Sequence, residues 1–189
     1  MKRIIKFLPI AAFLFIGFSS CDKDDKDDKD DEIISNMYLG HEYVDLGLKV
    51  KWATCNVDAS KPSEYGEYYI WGNDVAHQKW GGGWRMPTQD DFEELVNNCT
   101  YAWITKDGIH GCKFTSNITG FTDRSIFLPA AGKSFDGEFE DVGLSSLYWS
   151  STLYSDDPEG AWGLWAEYNT HDVRGINREC SLPIRPVCP

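Results

Sequence analysis

Eleven consecutive charged residues, at positions 22–32, divide this chain of 189 residues into two parts. The run holds eight acidic and three basic side chains and no apolar one. A segment of this composition has nothing to bury, cannot offset the entropy lost on folding, and extends by self-repulsion. We therefore expect residues 22–32 to be a disordered spacer and residues 33–189 to form a single folded domain.

The segment before the spacer has the layout of an export signal. Lys2, Arg3 and Lys6 precede an apolar run at residues 7–18. A helix needs about 20 apolar residues to cross the hydrocarbon core of a bilayer, so this run is too short to span it. Its length is that of the apolar region of a signal peptide. Residues 1–20 are therefore predicted to be a signal peptide.

Cys21 follows two small residues, Ser19 and Ser20, at the end of the apolar run. This arrangement resembles the lipobox of bacterial lipoproteins, which implies that Cys21 becomes the first mature residue and carries the lipid anchor. The acidic run after it resembles the surface-export signal of Bacteroidetes lipoproteins. The expected location is the outer membrane, facing the cell exterior. The alternative is a secreted protein cut near Ser20, with Cys21 unmodified.

The charge of the folded part excludes some partners. The whole chain carries −12, the signal contributes +3 and the spacer −5, which leaves −10 for residues 33–189. Nucleic-acid binding depends on clustered Lys and Arg, so no nucleic-acid partner is expected. An acidic surface is compatible with glycans, cations or basic proteins.

One helix is predicted directly after Pro87. Thr88 is a suitable N-cap, and Asp90 and Asp91 suit the positive end of the helix dipole. Apolar residues then recur at the spacing of one helix face, at Phe92, Leu95, Val96 and Cys99. A second, short helix is expected within residues 62–69.

The rest of the pattern favours short strands. Asp107-Gly108 is a hairpin dipeptide between apolar runs. Two short alternating stretches meet at Gly47. Further strand candidates are residues 103–105, 112–114, 126–128, 148–152, 161–168 and 181–187. Few helices and many short strands with turn-rich loops predict the α+β class.

Six groups of short motifs are spread over residues 43–188. They are Val-Asp-Leu-Gly-Leu at 44–48 with Val-Lys-Trp-Ala-Thr-Cys-Asn-Val at 50–57; Tyr-Gly-Glu-Tyr-Tyr at 65–69 with Trp-Gly at 71–72; Trp-Arg-Met-Pro-Thr at 84–88 with Phe-Glu-Glu-Leu at 92–95; Phe-Leu-Pro-Ala-Ala-Gly at 127–132; Tyr-Trp-Ser-Ser at 148–151; and Ile-Arg-Pro-Val-Cys at 184–188. As a set they resemble the Fibrobacter succinogenes major paralogous domain family, common in lipoproteins of gut Bacteroidetes.

The motif at residues 84–88 also resembles the formylglycine-generating enzymes and their relatives. Together these resemblances imply a C-type-lectin-like fold, with a twisted antiparallel sheet, one or two helices, long loops and termini close together. They also imply a cell-surface location but no particular activity, because a fold does not determine a function. The function expected from them is a non-enzymatic binding module for an extracellular glycan or protein. The alternatives are a structural or assembly component of the envelope, and a metal- or thiol-dependent enzyme.

The late strands and loops commonly form the ligand surface of lectin-like folds. By that resemblance the candidate ligand-binding residues are Tyr154, Asp156, Asp157, Trp165, Glu167, Asn169, His171 and Arg174. Period-two alternation supports part of this set. One face would carry Trp162, Leu164, Ala166 and Tyr168, which we take as the core face, so that Trp165 and Glu167 would point to solvent. The alternative is that Trp165 packs under a loop and the polar residues only solubilise the rim.

With Cys21 lipidated, five cysteines remain, which allow fifteen arrangements of two bridges. The resemblance suggests Cys55 with Cys188, since the fold brings the chain ends together. Related copper-dependent oxidases use two late cysteines, to which Cys180 and Cys188 are superficially comparable, but the residues around them do not follow the enzyme pattern.

No catalytic or metal-binding motif is found. The four histidines lack metal-ligand spacing, so no metal site is predicted from them. Asp156, Asp157 and Glu159 are candidate oxygen ligands for a calcium ion. A solvated acidic turn is the alternative for this segment.

Overall fold

The strand-rich sequence folds into antiparallel hairpins, and the computed structural model describes residues 36–189. Of these residues, 44% are in strands and 10% are in two helices, which is compatible with the predicted α+β class. The predicted signal peptide, Cys21, the whole spacer and residues 33–35 lie outside the described residues. Neither helix of the described part is long and apolar enough to span a membrane.

The elements follow one another in mostly short segments. In chain order they are β1 (Asn36–Tyr38), β2 (His41–Val44), β3 (Lys51–Ala53), β4 (Tyr69–Ile70), α1 (Val75–Trp80), α2 (Gln89–Asn98), β5 (Cys99–Lys106), β6 (Ile109–Ser116), β7 (Ser125–Pro129), β8 (Lys133–Phe135), β9 (Glu138–Glu140), β10 (Ser146–Leu153), β11 (Gly160–Glu167), β12 (Thr170–Asn177), β13 (Ser181–Leu182) and β14 (Val187–Cys188).

The strands form four antiparallel sheets. Their orders are β1-β2-β3-β14, β10-β11-β12, β4-β13-β8-β9 and β5-β6-β7. In the first sheet the last strand of the chain pairs with an early one, with Val187 opposite Trp52. The end of the chain therefore lies beside the beginning of the described domain.

Helix α2 confirms the helix predicted after Pro87. The Thr88 side chain accepts a hydrogen bond from the Asp91 amide, and the Asp91 carboxylate accepts one from the Thr88 amide, which is a capping box. Phe92 and Leu95 are buried on the apolar face. The helix ends at Asn98, and Cys99 already starts β5.

The predicted hairpin at Asp107-Gly108 is also confirmed. It joins β5 and β6 in a full antiparallel register from Cys99–Ser116 to Lys106–Ile109. Both turn residues have positive φ, 50° at Asp107 and 78° at Gly108, as the tight turn requires.

The prediction of a short helix within residues 62–69 is wrong. Gly66 has a φ of 71°, outside the helical region, and its backbone approaches the Val57 carbonyl oxygen. The short helix is α1 instead, which starts where the Asp74 side chain accepts a hydrogen bond from the His77 amide. The strand expected over residues 181–187 is divided into β13 and β14 by a segment with two prolines.

The core has two main buried clusters. The larger one joins α2 to the inner faces of several sheets, and the Trp52 ring packs on Phe92 at 5.3 Å. The second cluster surrounds Trp149 and includes Leu147 and Ile184. Trp149 is fully buried, and its indole N–H donates to the Tyr69 carbonyl at 2.8 Å.

A buried arginine links these parts of the core. Arg185 is fully buried, and its guanidinium donates to the Asn56 side-chain oxygen at 2.8 Å and to the Ala53 and Thr54 carbonyls at 3.0 and 2.7 Å. Asn56 in turn donates to the Tyr148 hydroxyl at 3.2 Å. Burial lowers the pKa of Arg185 from its ordinary value, because the charge is kept away from water.

Replacing this arginine should destabilise the fold severely. Arg185→Met leaves three buried acceptors without their donor, each worth about 1–3 kcal/mol. We expect the free energy of unfolding to fall by at least about 3 kcal/mol in urea denaturation, a large part of the roughly 5–15 kcal/mol typical of a domain. The control is Arg174→Met at an exposed position. Equal stability of the two variants would contradict this role.

The capping box gives a prediction that depends on pH. Burial alone would raise the pKa of Asp91, but hydrogen bonds from Arg85 and Thr88 hold that pKa below its ordinary value of 3.8. Asp91 therefore stabilises the fold above pH 3.8, and this contribution is lost as the pH falls further. Asp91→Asn should cost about 1–2 kcal/mol at pH 7.

Urea titrations at neutral and strongly acidic pH measure this difference. The difference in free energy of unfolding between the parent protein and Asp91→Asn should become smaller in acid. The matched control is Asp90→Asn, which alters the exposed neighbouring carboxylate in the same helical turn. A cost at Asp90 as large as that at Asp91 would show that helix-dipole charge, not the capping box, is responsible.

Candidate binding site

The residues predicted to bind ligand lie on β11, β12 and the adjoining loops, but they are divided between two faces of one sheet. Trp165, Glu167 and Arg174 share one face, because Trp165 pairs with Asp172 and Gly163 pairs with Arg174. His171 lies on the other face, opposite Ala166. The sheet therefore presents these side chains to two different environments.

Trp165 is half-buried and packs against the second core cluster. The guanidinium of Arg174 lies 3.6 Å from the centroid of its ring, as a cation–π contact. Glu167 is also half-buried and accepts a hydrogen bond from the Ser145 hydroxyl at 2.8 Å. One face of Trp165 is therefore occupied by Arg174.

His171 and Tyr154 are engaged in aromatic contacts on the opposite face. The His171 ring stacks on Tyr101 at 4.2 Å, and burial lowers the pKa of its imidazole. The Tyr154 ring meets Trp162 edge-on at 4.8 Å. Both side chains therefore contribute to packing inside the domain.

The other three predicted residues are exposed in loops. Asp156 accepts from the Ser155 hydroxyl at 3.3 Å, Asp157 accepts from the Glu159 amide at 2.9 Å, and Asn169 lies in the turn after β11. The expectation that Tyr168 faces the core is wrong, because it lies in the same turn and is 70% exposed. Within residues 36–189, no group of three or more His, Cys, Asp or Glu is arranged to hold a metal ion.

A pocket of about 310 Å³ lies elsewhere, between the start of β2, the segment after β3 and the end of α1. None of the eight predicted residues lines it. Its lining is formed by Met37, Gly40, His41, Glu42, Thr54, Cys55, Ala59, Ser60, Pro62 and Trp80. The volume is at the lower end of the roughly 300–1,000 Å³ of small-molecule sites.

Aromatic rings form one wall of this pocket. His41 stacks on Trp80 with centroids 3.7 Å apart and planes 7° from parallel. Buried Trp84 meets Trp80 edge-on at 5.0 Å, and its indole N–H donates to the Tyr38 carbonyl at 3.1 Å. The wall is therefore supported from behind by the core.

An ion pair ties the two chain segments that flank the pocket. Lys79, beside Trp80, lies 2.6 Å from the Asp58 carboxylate, which precedes Ala59. Asp58 also accepts a hydrogen bond from the Tyr69 hydroxyl. Burial alone would raise the pKa of Asp58, but the hydrogen bonds from Lys79 and Tyr69 lower it below its ordinary value.

The pocket offers polar groups and little positive charge. Burial lowers the pKa of His41, which disfavours a positive charge on its ring. Among the described residues that line the pocket, Glu42 is the only carboxylate, and none is a lysine or an arginine. The Thr54 hydroxyl and the Cys55 thiol lie side by side, 3.6 Å apart. The site is therefore suited to a ligand without negative charge.

All five described cysteines are free thiols, so the predicted Cys55–Cys188 bridge is not formed in the structure. Cys188 is buried in a third small cluster with Ala53 and Trp84, whereas Cys55 is half-exposed in the pocket lining. Burial raises the pKa of Cys188 to about 11 and those of Cys99 and Cys112 to about 12. Cys180, the other late cysteine, is likewise a buried free thiol.

Comparison with family models, with curated proteins and with solved structures gives no match.

Sequence reasoning missed the pocket because its residues are far apart in the chain. His41 has no metal-ligand spacing, and Trp80 precedes three consecutive glycines, Gly81, Gly82 and Gly83, in a segment without a recognisable motif. Their only sequence signal is the pair of tryptophans, Trp80 and Trp84, that flank those glycines. The stacking of Trp80 on His41 depends on how α1 packs on β2.

Thiol reactivity tests the placement of the cysteines. In the Cys21→Ser protein, we expect one thiol to react quickly with a chromogenic disulfide reagent and all five after denaturation, because four are buried and Cys55 is half-exposed. Adding Cys55→Ser should remove the fast phase. Fewer than five thiols in the denatured, unreduced protein would instead indicate a disulfide.

Proposed function

We propose that this protein is a binding module that takes a small, polar and uncharged ligand, such as the terminal sugar of a glycan, in the pocket beside Trp80. The observation that carries this proposal is the aromatic wall formed by His41 and Trp80 next to polar lining groups. Sugar rings present apolar C–H faces that stack on aromatic rings, and hydroxyls that need hydrogen-bond partners.

Electrostatics favours this ligand class over anions. The lining residues within 36–189 include a carboxylate but no lysine or arginine, and residues 33–189 are strongly acidic. An anionic ligand would be repelled by Glu42, whereas a sugar hydroxyl can donate a hydrogen bond to it. Neutral glycans therefore suit the site better than phosphorylated or sulfated ones.

We further propose that the domain has a C-type-lectin-like fold of the Fibrobacter succinogenes major paralogous domain type. The motifs behind this resemblance supply several of the largest fully buried side chains, among them Trp52, Trp84, Trp149 and Arg185. Proteins that share a fold need side chains of similar size at their core positions, and these motif residues occupy such positions. The signal peptide, the lipidated Cys21 and the acidic spacer complete the proposal as an outer-membrane lipoprotein facing the cell exterior.

One observation favours a second candidate function, a thiol-dependent enzyme. Cys55 and His41 line the same pocket, and these are the residue types of a thiol nucleophile and its base. Turnover of a thioester or peptide substrate that is abolished by Cys55→Ser would favour this candidate. Binding that survives Cys55→Ser would favour the recognition module.

A glycan-array screen with paired variants tests the proposed site. Trp80→Ala should remove a saturable glycan signal, since it takes away the stacking platform, whereas Trp165→Ala should leave the signal unchanged. The opposite result would assign binding to the sheet of β11 and β12. Alkylating Cys55 with a bulky reagent should block the signal without any mutation, which separates loss of binding from loss of folding.

A further inference from the structure

A second surface feature is the hairpin at residues 133–144, which contains β8 and β9. It exposes Phe135 (41%), Phe139 (63%), Val142 (42%) and Leu144 (66%). These are four of the nine large apolar side chains exposed within residues 36–189. Exposed apolar groups collected in one short segment, rather than scattered singly, mark interaction surfaces.

The same hairpin carries a free strand edge. β9 is the last strand of the sheet β4-β13-β8-β9 and, among the described strands, pairs only with β8. Its outer side therefore presents backbone N–H and C=O groups without a strand partner. All three β9 residues are exposed, and no second strand among the described ones pairs with them.

The edge is held in place from its inner side. The Lys133 ammonium lies 3.1 Å from the Glu140 carboxylate, and the Phe139 ring meets Tyr68 edge-on at 5.0 Å. Three residue pairs, from Lys133–Glu140 to Phe135–Glu138, fix the register with β8. A preformed edge loses little entropy when another strand is added.

Charge decides which strand fits. Residues 133–144 hold four carboxylates, at Asp136, Glu138, Glu140 and Asp141, against the single Lys133, which is already paired. A second copy joined antiparallel about Phe139 would place Glu138 opposite Glu140, so like charges would meet across the new ladder. Acidic edge residues therefore reject self-association and favour a basic strand.

We propose that β9 is a docking edge for an extended segment of a partner protein in which basic residues alternate with apolar ones. The segment adds to the sheet by backbone hydrogen bonds along β9. Its apolar side chains lie on the face of Phe139, and its basic side chains lie on the face that carries Glu138 and Glu140. This edge is separate from the pocket beside Trp80, and neither proposal depends on the other.

Binding of designed peptides to the full-length protein tests this proposal. The probe is a labelled peptide in which Lys and Val alternate, measured by fluorescence anisotropy, beside a peptide with Glu in place of each Lys. We expect saturable binding of the Lys peptide only. Phe139→Ala and Glu138→Lys should each weaken it at least about tenfold, as the loss of a central contact does.

Two controls separate strand addition from general attraction. Glu159→Lys makes the same charge change at an exposed loop position outside the hairpin and should alter the affinity by less than about twofold, as expected for a screened rim charge. A Lys peptide with N-methylated backbone amides should lose binding. Equal losses in Glu138→Lys and Glu159→Lys, or full binding of the methylated peptide, would overturn the proposal.

Sedimentation of the unliganded protein tests whether a second copy of the chain occupies the β9 edge instead of a partner protein. We expect a monomer at the concentrations of the peptide assay. A dimer that Phe139→Ala dissociates would overturn the proposal, because the edge would then be occupied by a second copy. Trp80→Ala should keep full peptide binding, so failure of the pocket proposal and failure of this one give different results.

Discussion

The buried guanidinium of Arg185 is the interaction on which the rest of this structure depends. Within residues 36–189 it has no carboxylate partner, and it donates to the Asn56 amide oxygen and to two backbone carbonyls. Asn56 then reaches the Tyr148 hydroxyl, which donates to the Pro129 carbonyl at 2.9 Å. One chain of hydrogen bonds thus joins segments next to β3, β7, β10 and β14. Because buried polar groups are costly when unmatched, this network strongly favours one arrangement of the sheets.

The same network positions the pocket. Thr54, whose carbonyl accepts from Arg185, lines the pocket together with Cys55. The Trp80 ring, which also lines the pocket, contacts His41 and the buried Trp84. The pocket is therefore built on rigid elements and not on a loop alone, which is how a binding site keeps its geometry.

Acidic charge connects the two proposed recognition surfaces. The pocket lining, as far as the structure describes the chain, contains Glu42 and no lysine or arginine, and the β9 edge carries Glu138 and Glu140. Both surfaces disfavour anionic partners, in keeping with the net charge of −10 in the folded part. They differ in what they accept, because the pocket is small and aromatic, whereas the edge offers backbone groups and exposed apolar side chains.

The sequence alone determined the local features. The cap at Thr88, the apolar face of α2 and the Asp107-Gly108 turn all follow from interactions between residues close in the chain, and each was found where predicted. Tertiary structure decided the rest. Trp165 was expected at the surface from alternation along one strand, but its exposure depends on Arg174 and on the second core cluster that packs against its sheet. The pocket unites His41, Cys55 and Trp80, whose proximity depends on packing that no local pattern encodes.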